Sequence, residues 1–235
     1  KYLPKGIANH KLKKLELINC HNLRQFPSNC SIYPKIHLEN CSMLKFENEF
    51  EDGAIKTLII KSCPKISYPL GKLSHLEKCV IHGDMNNSNI GSFPNLKTLE
   101  IHSHNLVNLN VDEFQNLQSL DVFCQEVLEI SMKVPKLKSL KLVLPKIKSL
   151  PQELYQLKHL KNLTLNCQET LHLTKDVVNL ESLESVNLLF CRMPSLPKEL
   201  ANLNKLKDLV AFNCEIDYIP PNVQTITTLI QPNTK

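Results

Sequence analysis

The sequence predicts an α/β solenoid: about ten short repeats stacked side by side, with a parallel β-sheet on the concave face and short helical, 3₁₀ or extended segments on the convex face. Three observations carry that expectation. A leucine pattern recurs at a strict step of 23 residues from Leu137, through Leu160, Leu183 and Leu206, to Leu229. The same pattern recurs upstream, at steps of 20 to 22 residues, from Leu12, Tyr33, Ile55, Leu76, Leu96 and Leu117. Within each unit the apolar residues alternate over five positions, as a half-buried strand requires.

Each unit reads as one strand followed by one return. Counting from the first residue, "LKKLELINC" from Leu12 and "IKTLIIKSC" from Ile55 place positions 4 and 6 inward and positions 3, 5 and 7 outward. A unit of this size cannot bury its own apolar face, so neighbours must complete the core, and fixed-period self-similarity implies a quasi-one-dimensional stack. In the later units the return reads "LPQELYQLKHL", "LPKELANLNKL" and "IPPNVQTITTL", with apolar residues three or four apart. That spacing predicts short helical or 3₁₀ turns. The earlier units are shorter and lack the motif, so their returns are expected to be more extended. "NEFEDGA" from Asn48 and "GDMNNSNIGSFPN" from Gly83 depart from the pattern and read as loops.

The repeated core, L-x-x-L-x-L-x-x-(N/C), resembles the leucine-rich repeat. The resemblance spans nearly the whole chain, as a single domain with irregular repeats over 12–136 and regular ones over 137–229. The later units are similar to intracellular repeats of bacterial and plant type, and the earlier ones to those of plant immune-receptor sensor domains. Position 9 in this family holds an Asn or Cys that turns inward and bonds the backbone where the strand bends away. Here that column reads Cys20, Cys41, Cys63, Asp84, His104, Gln125, Pro145, Gln168, Cys191 and Cys214. Five of the nine cysteines are thereby expected to be buried turn residues. Cys79, at an inward strand position, is expected in the core, and Cys124 and Cys167, at position 8, on the rim. The absence of any C-x-x-C pair argues against zinc ribbons, and unpaired thiols point to a reducing, cytoplasmic compartment.

Composition excludes several functions. With 5 Gly in 235 residues and no P-loop, G-x-S-x-G or H-E-x-x-H motif, nothing cradles a phosphate or presents a nucleophile, so neither an enzyme nor a cofactor is expected. The 28 basic and 23 acidic residues leave a net charge of +5 with both signs interspersed, the pattern of a solvated surface, with no nucleic-acid partner implied. No apolar run reaches the ~20 residues of a membrane span. Sequons at Asn29, Asn40, Asn86 and Asn162 are about what an Asn-rich chain produces by chance. The chain opens inside a unit and stops without a polar cap, so it is expected to be part of a longer protein.

If inward positions are committed to packing, function falls to the outward columns. Position 7 reads Ile18, Glu39, Lys61, His82, His102, Phe123, Val143, Asn166, Leu189 and Phe212: polar in the middle, apolar toward the C-terminal end. Position 8 contributes Leu144 and Phe190, and position 5 contributes Val210. Strands at about 4.8 Å spacing make this a patch roughly 20 Å long, and contiguous apolar surface marks an interaction site. The candidate partner-binding residues are Phe123, Val143, Leu144, Leu189, Phe190, Val210 and Phe212, with His82 and His102 beside them. Those two histidines, on adjacent strands, are expected within about 5 Å of each other. Two imidazoles fall short of the three or four ligands a metal site needs, and the neighbouring column offers only His37, two units away, with Glu100 and Asp121, so a polar concave surface is the expectation there. Aromatic and aliphatic anchors ringed by polar residues suit a protein or peptide ligand. A C-terminal cap or following domain folding over these side chains, or homotypic contact between copies, is the competing cover for the patch. Two further readings share the fold: a substrate-recognition arm of a ubiquitin ligase or receptor kinase whose catalytic domain lies elsewhere, and a structural or cell-surface scaffold.

Overall fold

The computed structural model describes residues 2–4, 6–7, 10–26, 28–46, 48–67, 69–85, 89–224 and 227–230. Its main sheet has eleven parallel strands in sequential order. They are β1 (Leu15–Ile18), β2 (Lys35–Glu39), β3 (Thr57–Lys61), β4 (Lys78–His82), β5 (Thr98–Ser103), β6 (Ser119–Cys124), β7 (Ser139–Val143), β8 (Asn162–Asn166), β9 (Ser185–Leu189), β10 (Asp208–Phe212) and β11 (Thr227–Ile230). Register follows repeat position: Leu58 pairs Cys79, Leu99 pairs Leu120, and Val186 pairs Leu209. This is a leucine-rich-repeat solenoid.

Alternation does what the pattern demands. Positions 4 and 6 of β2 through β10 are buried, and they join the first-position leucines in one continuous core. The return segments close that core from the convex side. In the regular units they are 3₁₀ turns, at Gln152–Gln156, Lys175–Asn179 and Lys198–Asn202, each burying one or two apolar residues such as Leu154, Val177 and Leu200. The turns start at Pro151, Thr174 and Pro197. Pro151 and Pro197 cap their turns in an extended conformation, ψ 143° and 133°, which proline's fixed φ suits, and the Thr174 side chain accepts from Asp176 N. The earlier returns are extended, as the shorter spacing implies. Gln25–Phe26 pairs with Lys45–Phe46, and Asn108–Asn110 pairs with Glu129–Ser131. The exception is a 3₁₀ turn at Ser28–Ile32.

Two of the few glycines earn their place on this convex side. Gly71 and Gly91 have φ of 93° and 133°, and a Cβ on Gly91 would stand 2.6 Å from the Gly71 carbonyl oxygen. The loop from Gly83 contains residues 86–88, and so the sequon at Asn86, outside the described residues.

Two expectations are corrected. Leu229 does not open another 23-residue unit: its backbone pairs with Ala211, an inward position 6, a step of 18 residues. A short helical turn at Pro221–Gln224 makes that last return brief. The second correction concerns position 8. Leu144, Cys124 and Cys167 are completely buried and offer no rim surface.

The reason lies in a backbone switch at the end of each strand. At four position-8 residues with an ordinary φ, alternation runs on and turns the side chain inward: Ser103, Cys124, Leu144 and Cys167 are all buried, with exposed or half-exposed His104, Gln125, Pro145 and Gln168 after them, whereas Gly83 has no side chain to bury and stays half-exposed. Among the described residues, five non-glycine residues have positive φ: Asn19, Asn40, Ser62, Phe190 and Asn213. All five occupy position 8, and all five precede a position-9 cysteine. The left-handed residue flips the chain, so the following thiol goes inward instead. Cys41, Cys63 and Cys191 are buried there, and Cys20 and Cys214 half-buried. Each of the five thiols donates to the carbonyl two residues before it, Cys63 to Lys61 at 3.2 Å for example.

Candidate functional site

The concave face divides into two regions. From the N-terminal end to β7, charged side chains lie against partners: Glu16 meets Lys14 beside it and Lys35 on the next strand, His37 meets Glu39 on its own strand, and Lys141 meets Asp121 on the strand before. Exposed pairs of this kind contribute little stability, but they leave few charges unmatched for a ligand. On β8, β9 and β10 the outward positions are almost uncharged: Asn162, Thr164 and Asn166, then Ser185, Asn187 and Leu189, then Asp208, Val210 and Phe212.

Of the predicted partner-binding residues, Leu189, Phe190, Val210 and Phe212 come together. Leu189 pairs Phe212 and Asn187 pairs Val210 across β9 and β10. Phe190 is 48% exposed and meets Phe212 edge to face, centroids 5.5 Å apart and planes at 79°. Phe123 and Val143 are half-buried neighbours on β6 and β7. Asn166 separates them from Leu189 along position 7, so the apolar row is two patches rather than one. Leu144 drops out because it points into the core.

Phe190 is the exceptional member. A φ of 55° is common for Asn and Gly but costs a bulky side chain roughly 1–2 kcal/mol, because Cβ crowds the carbonyl. Equivalent positions use Asn19, Asn40, Ser62 and Asn213. The backbone is held in place all the same: Phe190 N donates to Phe212 O at 2.9 Å, as Asn19 N does to Glu39 O and Asn40 N to Lys61 O. Strain kept by an over-determined backbone concentrates at functional positions.

His82 and His102 lie closer than β-spacing alone suggests. Their rings stack with centroids 3.9 Å apart and planes within 4°. Glu100, at position 5 of β5, joins them: His82 Nε2 is 2.6 Å from Glu100 Oε1, and His102 Nε2 is 3.7 Å from the same oxygen. Burial pulls the Glu100 carboxyl upward, but the His82 hydrogen bond and the nearby His82, His102 and Lys61 charges outweigh it, and the net shift is down. His102 is held below the usual histidine range, first by burial and then by the His82 charge. Glu100 is therefore ionised and His102 neutral near pH 7. The ring of His102 also meets Phe123, at 5.6 Å, linking the histidines to the apolar row. Beside them opens a hollow of about 550 Å³, lined by His21, Ser62, His82, Asp84, His102 and His104. The pairing of the histidines was legible in their shared column, and Glu100 in the column beside it; that one carboxylate oxygen meets both rings was not.

No family model matches the chain, and no curated protein matches it. Solved structures do. The ectodomain of the Arabidopsis thaliana receptor kinase GASSHO1/SCHENGEN3, in complex with Casparian strip integrity factor 2, superposes with a TM-score of 0.52 at 14% identity, covering 99% of this chain and 39% of that one. The plant peptide hormone receptor RGFR1, in complex with RGF2, gives 0.49 at 16% identity, covering 97% and 45%. A leucine-rich-repeat protein of Leptospira interrogans gives 0.44 at 17% identity, covering 99% and 81%. The chain thus spans less than half the length of the two plant receptor structures. What the first of these shares with it is the fold.

Proposed function

Starting from a leucine-rich-repeat fold with an open concave sheet, we propose that this chain is a recognition module that binds a protein or peptide through the C-terminal strands β9 and β10. The observation that carries the reading is Phe190: an exposed aromatic, in a backbone conformation that disfavours it, set edge to face against Phe212 beside Leu189 and Val210. Aromatic side chains of this kind supply large, rigid contact area at small entropic cost and dominate interfaces when ringed by polar residues. Asn166, Asn187 and Asn213 provide that polar ring. The uncharged surroundings suit an extended peptide segment with an apolar anchor better than a polyanion. The role is binding rather than catalysis, in a reducing, cytoplasmic setting, and nine free thiols support that setting.

The test is a pull-down with the wild-type chain and the Phe190→Asp/Phe212→Asp double variant, each checked for native unfolding. Loss of the species retained by wild type is the expected outcome. Equal recovery by a folded variant removes the patch from recognition.

A further inference from the structure

The concave surface carries a second cluster that peptide recognition does not use. We propose that His82, Glu100 and His102 form a binding site for a late first-row divalent transition-metal cation such as Zn²⁺. Their donor atoms all lie within 4.8 Å of one another, on the adjacent strands β4 and β5. Two imidazoles and one carboxylate are a donor set that favours Zn²⁺, Co²⁺ or Cu²⁺ over Mg²⁺ and Ca²⁺, which prefer oxygen ligands throughout.

The cluster contains unmet bonding capacity. Among the described residues, three buried side-chain polar atoms have no hydrogen-bond partner, and two of them are here: His102 Nε2, and Asp121 Oδ1 on β6, in register with Glu100. A nitrogen and a carboxylate oxygen left without partners at one place are what a cation would satisfy. The hollow alongside leaves room for water ligands at the remaining coordination positions.

Binding requires two local adjustments. Imidazole lone pairs lie in the ring plane, so one of the parallel rings must tilt for both to converge on an ion. Glu100 must also exchange its hydrogen bond with His82 for the cation. Lys141, 2.9 Å from Asp121 Oδ2, and Lys61, in register with His82, are positive charges that oppose the ion and limit its affinity.

Zn²⁺ titrated calorimetrically into the full chain, in a non-thiol reductant, is expected to bind with one strong equivalent. His82→Gln, Glu100→Gln and His102→Gln should each weaken binding by at least about tenfold. His37→Gln, which removes another histidine contacting a carboxylate on the same face, should not. Co²⁺ should give ligand-field bands without the strong near-ultraviolet band of thiolate ligation. Protection of His82 and His102 from diethylpyrocarbonate by Zn²⁺ reads out the same site without any variant. Absence of uptake by the wild type, wild-type affinity in the three folded variants, or a thiolate band with Co²⁺ would each overturn the proposal.

Discussion

Phe190 and Phe212 meet edge to face across β9 and β10 although they occupy different repeat positions, 8 and 7. The contact exists because Phe190 takes a left-handed backbone that every other residue of its kind in this chain leaves to Asn or Ser. Asparagine at 190 should relieve roughly 1–2 kcal/mol of backbone cost and forfeit about 0.5–1.5 kcal/mol of aromatic contact. Phe190→Asn is therefore expected to fold with stability within about 1 kcal/mol of wild type while losing the partner. Denaturant unfolding together with the pull-down checks both halves, and a strongly destabilised Phe190→Asn would show that the ring is structural.

Leu144 and Leu189 look alike in sequence, each lying at the end of a strand. Leu144 is fully buried and Leu189 half-exposed. Leu144→Ala should cost about 2–5 kcal/mol through the cavity it leaves. Leu189→Ala should cost under about 1 kcal/mol, since surface changes away from packed features are small. Urea midpoints of the two variants decide it.

Acidification should destabilise the chain in two stages. The folded state holds His102 below its ordinary value of 6.5, so the unfolded chain takes up the proton first, and the stability due to its neutral form is lost as the pH falls through about 6.5. Glu100 is also held down, so the stability of its ionised form is present above 4.5 and lost as the pH falls through its lower folded value. The midpoint of thermal unfolding, followed from pH 8 to pH 4, should fall first in the histidine window. His102→Gln should flatten that first stage and leave the second.

The thiols should be slow to react in the native chain. Burial raises Cys30, Cys63 and Cys124 to about 11 and Cys79 to about 12, leaving almost no thiolate at neutral pH. Only Cys20 and Cys214 are part-exposed. Thiol titration should therefore report at most two groups quickly in buffer and nine in denaturant. A count below nine in denaturant without reductant would instead reveal disulfides and an oxidising origin.

Much of the C-terminal patch could be read in advance. Leu189, Val210 and Phe212 sit at outward positions of a strict repeat, and β alternation alone puts them on one face. The position-8 residues could not be sorted by alternation, because one left-handed residue reverses everything after it. A signal was present in retrospect: Asn or Ser followed by Cys marks the flip at Asn19, Asn40, Ser62 and Asn213, whereas Leu144 and Cys167 precede Pro145 and Gln168. Phe190 breaks that rule, and only its Cys191 neighbour gives it away. Glu100 was legible as a carboxylate in the neighbouring column, but its contact with both rings was not, since its side chain crosses between columns to reach a histidine on the next strand.

The sequence by itself determined the stack, because a fixed period of alternating leucines has one way to bury its apolar face, and that is against its neighbours. The tertiary structure decided what happens at strand ends and between strands. Backbone φ at a single position sends a side chain into the core or out to solvent, and the 3.9 Å stacking of His82 on His102 depends on cross-strand register and on a carboxylate from another column. Both are pairwise, through-space relationships that a one-dimensional period does not encode.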